Sequence, residues 1–145
     1  MKVIRAISFV AVLALVATGA GCNSVESPLH PPLPPAGYTG PFNEAFSSNV
    51  AVQGRATRSF VVQKDGVVTL TLISAGPPSN VVLGLGLGIP RIDGTGCNLN
   101  TVVSTAAGST AQISMTVDKG TYCLSVFDLG TLQNFVSFSV AIFHP

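Results

Sequence analysis

From Phe42 onward, apolar residues alternate with polar or small ones at a period of two, and this constrains the fold more than any other feature of the chain. Val68, Leu70 and Leu72 interleave with Val67, Thr69 and Thr71; Val81, Leu83, Leu85, Leu87 and Ile89 interleave with Val82, Gly84, Gly86 and Gly88. Ile113, Met115 and Val117 repeat the pattern, as do Tyr122, Leu124 and Val126, and then Val136, Phe138, Val140 and Ile142. Weaker runs lie at Phe46–Val52, Arg58–Gln63 and Leu99–Ser104. Successive side chains of a strand point to opposite faces, so each run predicts a strand with one buried and one exposed face. Lys64-Asp65-Gly66 and Asp118-Lys119-Gly120 read as tight hairpin turns in which glycine supplies a positive φ. Residues 76–80 and 93–96 read as longer loops. About eight strands at this spacing predict an all-β fold, an antiparallel sandwich over residues 42–145.

Residues 1–21 follow different rules. Lys2 and Arg5 precede an apolar run from Ala6 to Ala17, about a dozen residues, short of the roughly 20 that a membrane-spanning helix needs. A charged start, a short apolar run and small residues before a cleavage point form the pattern of an export signal. Thr18-Gly19-Ala20-Gly21-Cys22 resembles the lipobox of bacterial lipoproteins, with Gly19 where that motif usually carries Leu. The resemblance implies a diacylglycerol thioether on Cys22, an acylated new N-terminus and a membrane partner reached through lipid. Each buried methylene contributes about 0.8 kcal/mol, so two or three acyl chains anchor a protein stably. Asn23, rather than Asp, after the cysteine favours the outer over the inner membrane of a Gram-negative envelope. Ordinary secretion with a free N-terminus is the alternative.

Residues 22–41 carry Pro28, Pro31, Pro32, Pro34, Pro35 and Pro41 and have no apolar periodicity. Such a segment favours extended polyproline II at about 3.1 Å per residue, a tether reaching on the order of 60 Å.

Three cysteines, Cys22, Cys97 and Cys123, are an odd number for an exported protein. Lipidation of Cys22 leaves Cys97 and Cys123 to pair in a compartment that permits disulfides. Two isolated thiols with no C-x-x-C pair and no nearby histidine do not make a zinc set.

Past the signal, five basic residues (Arg55, Arg58, Lys64, Arg91, Lys119) face six acidic ones (Glu26, Glu44, Asp65, Asp93, Asp118, Asp128), a net charge of −1. No basic stripe exists for nucleic acid. Charged residues are 9% of the chain, so Ser, Thr, Asn and Gly must form much of the surface.

Gly84-Leu85-Gly86-Leu87-Gly88 is followed by Ile89, so the dinucleotide-binding G-x-G-x-x-G pattern fails and no cofactor is expected. Three glycines on one strand face instead suggest close approach of a neighbouring layer or a packed aromatic, with a groove for a flat ligand as the alternative. His30 and His144 sit in no motif and are expected to be solvated or packed. Most aspartates neighbour glycine and read as turn formers. Asp93, Asn98, Asn100 and Asp128 could contribute to a calcium site only if folding gathers their loops. No catalytic or metal site is expected. Loops 74–80 and 91–98 are the expected recognition surfaces, with Gly76, Ser79, Asn80, Arg91, Asp93 and Asn98 as candidate binding residues, because strands hold loops in place.

Phe60-Val61-Val62, then Gly66-Val67-Val68-Thr69-Leu70-Thr71-Leu72, then Gly120-Thr121-Tyr122-Cys123-Leu124-Ser125-Val126-Phe127-Asp128 together resemble the bacterial pre-peptidase C-terminal domain. The resemblance spans about residues 44–144 and implies a jelly-roll-like sandwich. That family accompanies secreted enzymes and also occurs alone. The export and anchoring pattern beside an absence of catalytic motifs leads us to expect an envelope-anchored, non-catalytic module with a structural or binding role and a protein or glycan partner. An accessory partner or inhibitor of a secreted peptidase is one alternative, and a small exported hydrolase without a visible motif is another.

Overall fold

The structure is a computed structural model and describes residues 40–145. The export signal, Cys22, His30 and nearly all of the tether lie outside the described residues. The strands are β1 (Phe42–Val50), β2 (Arg55–Val62), β3 (Gly66–Gly76), β4 (Val82–Pro90), β5 (Cys97–Ala106), β6 (Ile113–Val117), β7 (Gly120–Phe127) and β8 (Val136–His144).

They form two four-stranded antiparallel sheets, β1-β8-β3-β6 and β2-β7-β4-β5, packed face to face. β1 pairs with β8, β2 with β7, β3 with β6 and β4 with β5. The chain is thus one long hairpin, doubled back between β4 and β5 and rolled so that successive rungs fall in alternate sheets. The β3–β8 and β4–β7 pairs complete each sheet. This is jelly-roll order, which agrees with the expected fold class.

Alternation places the core. Val68, Leu70, Leu72, Val136, Phe138, Val140 and Ile142 of the first sheet meet Phe60, Val62, Leu83, Leu85, Leu87, Leu124 and Val126 of the second, all buried. Each such side chain contributes about 1.5–3 kcal/mol relative to its exposed state.

The turn assignments need correction. Residues 63–65 and 118–119 join strands of different sheets, so they are crossings rather than hairpins. Gly66 and Gly120 open β3 and β7 and have no positive φ. The two turns sit side by side, and the Lys119 N–H donates to Asp65 Oδ1 at 2.7 Å. Gly66 serves close packing instead: a Cβ there would lie 2.7 Å from Cγ of Pro145.

Candidate functional site

The site is built on the outer face of the second sheet, around the disulfide. Adjacent strands lie about 4.8 Å apart, so β5 and β7, with β4 between them, should be separated by roughly 9.6 Å. The Cα atoms of Cys97 and Cys123 are 5.9 Å apart, and the two residues are bonded. The first residues of β5 therefore fold across the outer face of β4. The register moves from Leu87↔Thr101 to Gly88↔Leu99, leaving Asn100 as the extra residue of a bulge.

The glycines of β4 make the crossing feasible. A Cβ on Gly88 would overlap the carbonyl of Asn98, one on Gly86 would lie 2.7 Å from a Leu99 methyl, and one on Gly84 would strike the Phe127 ring. Expected close approach and a packed aromatic are both present, and the flat groove over these glycines is not, because Phe127, Leu99 and the β5 backbone occupy that space. For the same reason Cys123 and Ser125, predicted on an exposed face, are buried. Ile89, predicted inward, is 47% exposed, because the bulged hairpin turns the end of β4 off the opposing sheet.

The β4–β5 loop is internally braced. The Arg91 N–H donates to Gly96 O at 2.9 Å and the Gly94 N–H to Arg91 O at 3.0 Å. Asp93 Oδ1 accepts from the Thr95 hydroxyl at 2.7 Å and the Thr95 N–H at 2.9 Å. That hydroxyl, then the amide, and then the Arg91 charge hold the Asp93 carboxyl below its ordinary value of 3.8. Arg91 Nε donates to Asn98 Oδ1 at 3.2 Å. Gly94, at φ 71°, adopts a left-handed conformation that favours glycine. The candidate residues of this loop, Arg91, Asp93 and Asn98, thus act as braces of the loop rather than as a converging set of free groups.

Between this loop and β2 lies a cleft of about 440 Å³, with Arg55, Thr57 and Ser59 on one side and Pro90 and Gly94–Gly96 on the other. The Arg55 guanidinium carbon stands 6.0 Å from the Phe127 ring centroid, within cation–π range. Among the described residues no carboxylate forms a salt bridge with Arg55. Ile92, at the loop's tip, is fully exposed. The cleft can accept hydrogen-bonding groups along β2 and a negative or π-rich group at Arg55. Sequence reading missed Arg55, Thr57, Ser59 and Ile92. The i, i+2 spacing of the first three was legible, but nothing in the sequence said that a loop would fold down beside them.

The other predicted loop does not join this cleft. Gly76, Ser79 and Asn80 precede β4, whereas Arg91, Asp93 and Asn98 lie at or beyond its far end. Near the first group is a smaller, mainly apolar cavity of about 160 Å³ bounded by Pro77, Pro78, Val81, Leu132 and Val136, among others. Asp128 lies at that end, since its neighbour Phe127 pairs with Gly84. Asp128 Oδ2 accepts from the Gln53 N–H at 2.8 Å, and Oδ1 from the amides of Gly130, Thr131 and Leu132 at 2.9, 3.0 and 3.1 Å. These bonds, the one from Gln53 foremost, hold its carboxyl below 3.8. Asp93 and Asp128 are thus apart and already bonded, so the conditional calcium set does not assemble. Among the described residues no cluster of three His, Cys, Asp or Glu side chains could hold a metal.

His144 is buried between Phe42 and Phe60, each ring centroid 5.2 Å from its own. Its Nε2 lies 3.1 Å from Glu44 Oε1, and Arg58 donates to Glu44 Oε2 at 2.6 Å. This cluster closes the β1/β2 side of the sandwich, and His144 lines neither cavity. Compared with known proteins, the chain matches no family model and no curated protein.

Proposed function

We propose that the protein is a lipid-anchored, non-catalytic envelope module that binds a polar ligand in the cleft between β2 and the β4–β5 loop. Cys22 carries the lipid, the proline tether spaces the sandwich from the membrane, and the outer membrane is the destination. The observation that carries the reading is the cleft itself: a loop pinned over a sheet by a disulfide, beside a row of hydroxyls and Arg55, which has no salt bridge among the described residues. Hydroxyls, loop amides and one guanidinium suit a ligand rich in hydroxyl and carboxylate groups, which is the chemistry of an envelope glycan. Rigid strands below and a braced loop above lower the ordering cost of binding.

Two experiments test the parts separately. Palmitate labelling of the full chain should disappear in Cys22→Ala; labelling that persists removes the anchor. Co-sedimentation with purified envelope polysaccharide should weaken in Arg55→Ala while the melting temperature stays unchanged; undiminished binding moves the site away from the cleft.

A second reading is favoured by the jelly-roll order together with the resemblance of the Gly120–Asp128 segment: an accessory partner or inhibitor of a secreted peptidase. It expects capture of an exported peptidase by the tethered protein from envelope extracts, and a capture lacking any such enzyme opposes it.

A further inference from the structure

We infer that the open edge of β5 pairs with β5 of a second copy, joining two sandwiches through one continuous sheet. The two sides of the sandwich are finished differently. On the β1/β2 side, Arg58 donates to Ala45 O at 2.8 Å and pairs with Glu44, so a guanidinium caps an edge carbonyl of β1. Arg55 and Arg58 place charge along β2. Natural sheets guard edges with such charges.

The β5/β6 side lacks them. From Gly94 to Val117 there is no Asp, Glu, Lys, Arg or His. In the first sheet the edge strand on this side is β6, five residues long. β6 pairs with Gly66–Leu70 of β3, and beyond it the Gly108 and Gln112 N–H groups donate to Leu72 O and Leu70 O at 2.9 and 3.0 Å. The Leu72 N–H in turn donates to Gln112 Oε1 at 2.7 Å. β5 is the longer open edge, ten residues, and among the described residues its only ladder partner is β4. Past the bulge at Asn100, the stretch Thr101–Ala106 is regular, free of proline and uncharged.

The absence of charge selects the occupant. In an isologous antiparallel pair each residue faces a residue of the same strand, so any charge on β5 would meet its like nearby. A strand with none escapes that penalty. A two-fold axis through Val103 sets Val103 against its twin, Val102 against Ser104 and Thr101 against Thr105 of the second copy. Same-face residues then meet, as a continuous sheet requires. The disulfide fixes the start of β5, so the edge is presented in one conformation.

The test uses the full chain in density-matched detergent, with sedimentation equilibrium and amide exchange. The wild type should be a dimer with the β5 amides protected. Val102→Lys combined with Ser104→Lys sets lysine opposite lysine and should leave monomer, with the melting temperature of the sandwich retained at the dilution where the wild type is also monomeric. Val102→Lys combined with Ser104→Glu sets lysine opposite glutamate and should restore the dimer. A monomeric wild type, a double-lysine variant that dimerises like the wild type, or a lysine–glutamate variant that stays monomeric overturns the proposal.

Discussion

Gly88 faces the backbone carbonyl of Asn98 with no room for a methyl group between them. This contact, more than any side-chain pair, lets β5 begin on top of β4 and brings Cys97 within bonding distance of Cys123. Gly88→Ala should therefore destabilise by about 1–3 kcal/mol, since the backbone of β5 must move to admit it. Gly86→Ala should cost less, because the obstructing atoms are the methyls of Leu99, which can rotate away. Paired urea denaturation curves check the order, and equal costs at both positions contradict it.

The disulfide spans a sequence separation of 26 residues. By the loop-closure entropy it removes from the unfolded chain, its loss should cost about 3.5 kcal/mol. The double variant Cys97→Ala, Cys123→Ala should also free the β4–β5 loop, so amide exchange at residues 91–96 should accelerate more than exchange in β3 or β8. Uniform acceleration throughout the sandwich would show that the bridge does not specifically hold the cleft.

Asp128 ties the loop after β7 to Gln53, a non-glycine residue at φ 56°. Its carboxyl is depressed in the folded state, so the stabilisation is present above the ordinary value of 3.8 and is lost as pH falls through the lower folded value. Asp128→Ala should melt earlier than the wild type at pH 7, and the gap should narrow as the pH drops below about 4. Thermal melts across that range measure it, and a gap independent of pH assigns the bonds no charge-dependent share.

Leu85 and Ile89 share the same alternation in sequence, yet only Leu85 is core. Leu85→Ala should cost about 2–5 kcal/mol, whereas Ile89→Ala, at a half-exposed position, should cost much less. A large Ile89 effect in denaturant titration would contradict the turned-out end of β4.

That pair also marks how far the sequence could be read. Period-two alternation identified every strand of the core and the burial of Val136, Phe138, Val140 and Ile142, because alternation is a local property of one strand. Cysteine pairing was read from the odd cysteine count and the expectation of export, and the Cys97–Cys123 bond is present. What could not be read was non-local. Lys64–Gly66 and Asp118–Gly120 look like hairpins by composition, but whether a turn stays in one sheet or crosses to the other depends on the rolled topology. The cleft was half visible: the loop carrying Arg91 and Asp93 was expected, while Arg55, Thr57 and Ser59 come to it from a strand far away in sequence. Glu44, Arg58 and His144 meet for the same reason.

The central claim is an exported molecule with one sulfur in a lipid thioether and two joined across β4. Intact-mass spectrometry under non-reducing conditions, on protein recovered from its native envelope, reads both features at once. The account predicts a chain beginning at Cys22, heavier by a diacylglycerol and a fatty acyl group and lighter by two hydrogens for the Cys97–Cys123 bond. A chain that keeps residues 1–21, or one in which all three cysteines are recovered as free thiols, contradicts it.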